Sequence, residues 1–232
     1  MALKIEFISK HKEYIPEPKP SLLYIPEEYK KFPKYGKDNL KIHPTVKKCI
    51  PFLDALITGY IIPFPCDIYY WYDEKNKQAN FVSSKNAPAE EFKVTDHEKF
   101  QISEELRYSR RTIDHIFKFY NPWSIKTPLG YSCLFTTPFN RNLNFKLVDA
   151  IVDTDSFNLN ANIPFYWANS HNQKVMLKTG DPMCLVIPFK RDSWKMSVQS
   201  ETSNNYNHRL KKFFKYFEDT YKRVSWSKKS YK

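Results

Sequence analysis

The sequence predicts a mainly β fold. A sandwich- or barrel-like core spans residues 49–198, an extended proline-rich arm precedes it at 1–48, and a linker, a basic amphipathic helix and a tail follow at 199–232. Three observations carry this. Short apolar runs bounded by turn residues recur at roughly ten-residue spacing between 121 and 191, as strands of a sandwich or barrel do. Aromatic residues make up 17% of the chain, mostly Phe and Tyr, which suit strands and a bulky core. Sixteen prolines stand against four glycines, which breaks up long regular elements and leaves little material for glycine-rich phosphate loops.

Taken in order, the arm is punctuated by Pro16, Pro18, Pro20, Pro26 and Pro33, with room for one short helix at Glu27–Lys31 that Pro33 stops. Phe52–Thr58 reads as two helical turns ended by Gly59. Ile61–Tyr72 reads as a strand interrupted by Pro63 and Pro65, hence an edge strand, and Asn80–Ser83 as its return. The charged stretch 84–112 has a surface helix at Ser103–Arg110. After a turn at Lys126–Gly130 come strands at Tyr131–Thr136, Leu147–Asp153, Ile163–Ala168, Lys174–Lys178 and Met183–Phe189, with a loop at Pro138–Asn144. The polar run 199–207 reads as a linker. Tyr206, Leu210, Phe213, Phe214, Phe217 and Tyr221 then fall on one helical stripe with Lys and Arg on the other faces.

Composition limits the chemistry. No apolar run reaches the length of about eighteen residues that a membrane span needs. The first twenty residues lack a signal-peptide core, so a cytoplasm is the expected location. Cys49, Cys66, Cys133 and Cys184 form no CxxC pair and sit in apolar surroundings, as buried thiols do. The six histidines show no metal-ligand spacing, and neither a P-loop nor a Gly-x-Ser-x-Gly elbow occurs. No metal or cofactor is expected. The net charge is +12, and residues 201–232 hold half of it, with nine Lys or Arg against three Asp or Glu.

Asp149, Asp153 and Asp155 in DAIVDTDSF form the most suggestive acidic cluster. If the strand runs through them, Asp153 and Asp155 point the same way and meet one cation or water. The plainer reading is that they end a strand and bond a turn. DAIVDTD, followed by KTGDPMCLVIPF, resembles the β-clip fold of dUTPases and dCTP deaminases, and TTPFNR falls where that family has its Pro-Arg-Ser-Gly loop. The resemblance covers residues 123–191 and implies a nucleotide pocket holding Asp153, Asp155 and Arg141. The sequence departs from the family's pattern at Asn140-Arg141-Asn142, where the loop's serine and glycine are missing. It departs again at Phe157, one residue late for the family's tyrosine, and after Gly180, where no glycine follows.

A second resemblance runs nearly end to end. TVKKCIPFLDALITGYIIP, NPWSIKTPLGYSCLFTTPFNR, IVDTD and GDPMCLVIPFKRDSW are similar to a family of tailed-phage proteins of the marine, cyanophage type that carries no assigned activity. It implies a viral origin, and with it a virion or the host-cell cytoplasm as the location. The basic C-terminal stretch admits packing on the core, docking on a neighbouring subunit, or nucleic-acid binding through Lys and a stacking Trp226. Thirty lysines beside seven arginines disfavour clamps that need the guanidinium fork. The expectation is therefore a non-catalytic phage accessory or virion-associated structural protein. Its partners would be other virion proteins or a second copy of itself, contacted through Lys190, Arg191, Lys211, Lys212, Lys215 and Trp226. A nucleotide-binding β-clip pocket and a DNA-binding tail are the alternatives.

Overall fold

The computed structural model describes residues 3–38, 41–73, 75–76, 78–84, 91–97, 116–168, 174–213 and 219–232. The fold is mainly β. In the arm, β1 (Glu6–Ile8) and β2 (Lys19–Pro20) precede α1 (Glu27–Lys31), which is followed by the hairpin β3 (Tyr35–Asp38) and β4 (Lys41–Pro44). Next come α2 (Ile50–Ile57), β5 (Tyr60–Pro63), β6 (Ile68–Asp73), β7 (Gln78–Ser83) and β8 (Val94–Asp96). The middle of the chain supplies β9 (Ile116–Phe119), β10 (Ser124–Lys126), β11 (Tyr131–Thr136), β12 (Phe145–Leu147) and β13 (Ala150–Val152). It closes with β14 (Ile163–Trp167), β15 (Val175–Leu177), β16 (Pro182–Lys190) and α3 (Ser203–Phe213).

Every pairing among the described strands is antiparallel. A five-stranded sheet has the order β13-β11-β16-β5-β2, a four-stranded sheet β12-β14-β9-β8, and a three-stranded sheet β15-β6-β7, with β1-β10 and β3-β4 as separate pairs. One apolar core joins the three larger sheets. Phe119 stacks on Phe165 at 3.7 Å, and Phe64, at the end of β5, meets Phe119 and Phe145 edge-on at 5.0 and 5.7 Å. Trp167 and Tyr70 lie 4.1 Å apart, both fully buried. The alternation of β6, with Ile68 and Tyr70 buried and Tyr69 and Trp71 exposed, is the period of a strand packed on one face. The arm is woven into this body through the β1-β10 and β2-β5 pairings and through the buried Ile15.

Several expectations change. The strand at Ile61–Tyr72 is two strands in different sheets, and β5 lies between β16 and β2 instead of at an edge. Pro63 is tolerated because β2 reaches only Tyr60 and Ile61, so no ladder bond is asked of its nitrogen on that side. Leu147–Asp153 is likewise divided. Asp149 turns the corner between β12 and β13, accepting a hydrogen bond from the Thr136 hydroxyl at 2.6 Å. The exposed irregular run covers 191–202, and α3 begins inside the expected linker. The apolar stripe is not carried by one unbroken helix, because Asp219 has φ +60, and Tyr206 and Phe213 stay exposed instead of packing on the core. Cys66, Cys133 and Cys184 are buried, but Cys49 is exposed at the start of α2. The helix expected at Ser103–Arg110 lies outside the described residues.

Candidate functional site

The candidate pocket residues do not converge. Asp153 and Asp155 sit in the turn after β13, whereas Arg141 lies in the loop between β11 and β12, on a different groove. The strand ends at Val152, and the backbone then folds so that Ser156 and Phe157 amides donate to the Asp153 carbonyl at 3.1 and 2.8 Å. The two carboxylates therefore leave the strand pattern that would aim them at one ion.

Arg191, just past the end of β16, meets both carboxylates instead. Its guanidinium binds both oxygens of Asp155, one of them at 3.0 Å, and reaches Asp153 Oδ1 at 3.3 Å. It also donates to the Tyr131 carbonyl and the Ser132 hydroxyl, each at 3.0 Å. Ser132 in turn donates to Asp153 at 2.6 Å, and the Gly130 amide to Asp155 at 2.8 Å. The Asp155 side chain is 2% exposed. Its pKa falls to about 2, because the Arg191 guanidinium first and the Gly130 amide second stabilise the charged form. This is an electrostatic latch that ties the ends of β16, β11 and β13 together. Two residues expected to hold a ligand and one expected to meet a partner are satisfied by each other. Ser132 and Gly130 complete the latch; no sequence signal distinguishes them from ordinary strand and turn residues.

Arg141 has a different setting. Lys47 donates to the carbonyls of Tyr29 and Lys30 at 2.6 and 2.9 Å, closing the end of α1, and its ammonium lies 4.5 Å from the Tyr29 ring centroid. That fixes Tyr29 in a stack with Phe52 of α2, ring centroids 5.6 Å apart. These two rings, Phe32 and the loop residues Asn140, Arg141 and Asn142 line a groove of about 730 Å³. Asn140 holds φ +54, a left-handed conformation that asparagine tolerates. Burial lowers the Arg141 pKa, and no described residue gives its guanidinium a hydrogen bond or an ion pair. Glu28 and Asp181 also line the groove. The sequence singled out Arg141 but gave no sign of its aromatic wall, which comes from the arm and α2.

The tail folds back on α2. Trp226 Nε1 donates to both Asp54 oxygens at 3.1 and 3.0 Å, and Lys229 pairs with the same carboxylate at 2.6 Å. Thr58 bonds the Tyr231 hydroxyl at 3.1 Å, and Lys48 pairs with Asp219 at 3.1 Å. Trp226 is thus committed within the chain. Lys190 pairs with Asp192 at 2.6 Å, and Lys211 is exposed on α3. Lys215 and the side chain of Lys212 lie outside the described residues.

Among the described residues no group of three His, Cys, Asp or Glu is placed to hold a metal, and no helix is long and apolar enough to cross a membrane. No protein-family model matches the chain, and no curated protein does. Among solved structures, a dUTPase of Staphylococcus bacteriophage 80alpha is similar over 87% of this chain and 90% of its own, at 9% identity and a TM-score of 0.38, a likeness too weak to assign a site or an activity.

Proposed function

We propose that this chain is a non-catalytic, particle-associated phage protein that works by binding other protein subunits. The observation that supports it is the outer face of the three-stranded sheet. Met176 of β15, Tyr69 of β6 and Val82 of β7 stand in register across the three strands, and all are exposed. Trp71, two residues further along β6, is exposed on the same face, and a groove of about 370 Å³ is lined by Tyr69, Trp71, Lys174 and Met176. The solvent side of an antiparallel sheet is ordinarily polar. A contiguous apolar row there is the mark of a protein-binding surface. Mass spectrometry of purified phage particles tests the reading: the chain is expected at a fixed copy number, and its absence from the particles overturns it.

The Arg141 groove favours a second reading, a site for an anionic ligand with a planar ring, such as a nucleotide. A desolvated guanidinium gains by pairing with an anion, and the Tyr29–Phe52 stack offers a ring face beside it. Glu28 and Asp181 weigh against it by placing negative charge on the same groove. A thermal-shift screen across deoxynucleotides is expected to raise Tm for at least one ligand, with the shift abolished in Arg141→Ala; a null screen overturns the reading. Nucleic-acid binding through the tail draws less support, because Trp226 and Lys229 already share Asp54.

A further inference from the structure

The stretch after the latch alternates in a way no element of the fold absorbs. In Ser193-Trp-Lys-Met-Ser-Val-Gln199, apolar Trp194, Met196 and Val198 occupy every second position. An extended chain puts all three on one face and Ser193, Lys195, Ser197 and Gln199 on the other. This is the pattern of a half-buried strand. Yet the three side chains are 92%, 85% and 86% exposed, and nothing from Ser193 to Ser200 hydrogen-bonds to another described residue. A segment with the complete amphipathic pattern of a strand therefore pairs with no described strand.

The same molecule carries a strand edge that no described strand covers. β13 is the terminal strand of the five-stranded sheet, with β11 on one side and no described strand on the other. Along it runs a groove of about 520 Å³ lined by Ile151, Val152, Asp153, Ser156, Phe157 and Ala161. Ile151, Phe157 and Leu159 expose large apolar side chains around it. Of the donor-side cations, Lys190 and Arg191 are already paired within their own chain, with Asp192 and with Asp153 and Asp155, which leaves Lys195 as the charge that the segment itself brings.

We propose that residues 192–199 are a donated strand, which adds to the β13 edge of a second copy of this chain and buries Trp194, Met196 and Val198 in that copy's groove. For its class of partner the inference rests on the subunit-binding reading; the donor, the acceptor and their pairing come from the strand pattern and the open edge. Backbone hydrogen bonds to the β13 edge would supply affinity, and the alternate apolar side chains specificity. The latch makes the donation directional. Arg191, held to Asp153 and Asp155 on its own chain, fixes where the strand leaves the body. Because each copy has both donor and acceptor, reciprocal exchange around a twofold axis closes the assembly as a dimer.

Light scattering and sedimentation on the full chain test this at micromolar concentration. Wild type is expected to be a dimer. The triple variant Trp194→Ser, Met196→Ser, Val198→Ser and the acceptor variant Ile151→Lys are each expected to be monomeric with circular dichroism and Tm unchanged, since every altered side chain is exposed. Mixing the two variants is expected to restore association, because the intact donor of one fits the intact acceptor of the other. A monomeric wild type overturns the proposal, as does a dimer that survives the triple substitution. Failure of the mixture to associate overturns it too, pointing instead to docking of the strand on its own chain. A chain that dimerises by this route yet is absent from particles leaves the inference standing and removes the particle reading; a particle component that is monomeric does the reverse.

Discussion

Arg191 is the residue on which the most contacts of the candidate region converge. Replacing it by Ala leaves two carboxylates facing each other across the ends of β11, β13 and β16, so Tm is expected to fall by several degrees in a thermal melt. Arg191→Lys is expected to recover only part of the loss, since an ammonium cannot reproduce the two-pronged contact with Asp155 or bond Tyr131 and Ser132 at the same time. The pH dependence follows from Asp155. Its folded pKa of about 2 lies below the unfolded carboxylate value, so its contribution is present above the unfolded value and is lost as pH falls through the folded one. Urea denaturation at a series of pH values is therefore expected to show wild type more stable than Asp155→Asn at neutral pH. The gap should narrow below about pH 4, and a constant gap would remove the ion pair as its cause.

At the scale of elements, two glycines with positive φ make a contrasting pair. Gly59 links α2 to β5 at φ +69, and a Cβ there would lie 2.3 Å from the Val186 carbonyl oxygen of β16. Gly130 opens β11 at φ +86 with nothing within 4 Å of the same atom. Gly130→Ala is expected to cost about 1–2 kcal/mol, the ordinary penalty for an L-residue in that region. Gly59→Ala is expected to cost clearly more, because backbone of the central strand must move as well. Paired denaturation curves check the order, and equal costs would mean that β16 gives way freely. In the core, Phe165 of β14 stacks on Phe119 of β9 and is fully buried. Phe165→Ala should lower stability by about 3–5 kcal/mol, measured by the same curves.

For the whole molecule, the two ends of the chain act as fasteners. The arm pairs with β10 and β5, and the tail closes on α2 through Asp54. Removing residues 226–232 frees the Asp54 carboxylate and uncovers Tyr60 beside Tyr231. The truncated chain is expected to melt at a lower temperature, and protease cleavage is expected to appear around α2. Asp54→Ala should reproduce most of that effect without shortening the chain. Unchanged melting in both variants would mean that the tail rests on the body without holding it.

How much of this could be read in advance depends on the range of the interactions concerned. Local chemistry sufficed for α1, bounded by Pro26 and Pro33, for the end of α2 at Gly59, and for Tyr131–Thr136, which follows its Pro-Gly turn. The mainly β class was equally plain, since apolar alternation and turn residues act over a few positions. The apolar alternation of 193–199 was also present in the sequence, set off from β16 by the polar run Lys190–Ser193, but no sheet could be assigned to it from pattern alone. Which strands share a sheet was not legible: Pro63 suggests an edge, and only the shortness of β2 explains its place inside the five-stranded sheet. The fate of Asp153 and Asp155 was hidden for the same reason. Their partner Arg191 lies 36 residues beyond Asp155, and nothing short of the antiparallel pairing of β11 with β16 brings it beside them. The sequence by itself determined the class of fold, its turns and its charge; the tertiary structure decided which charges meet, because ion pairs between distant residues exist only once the sheets have set their register.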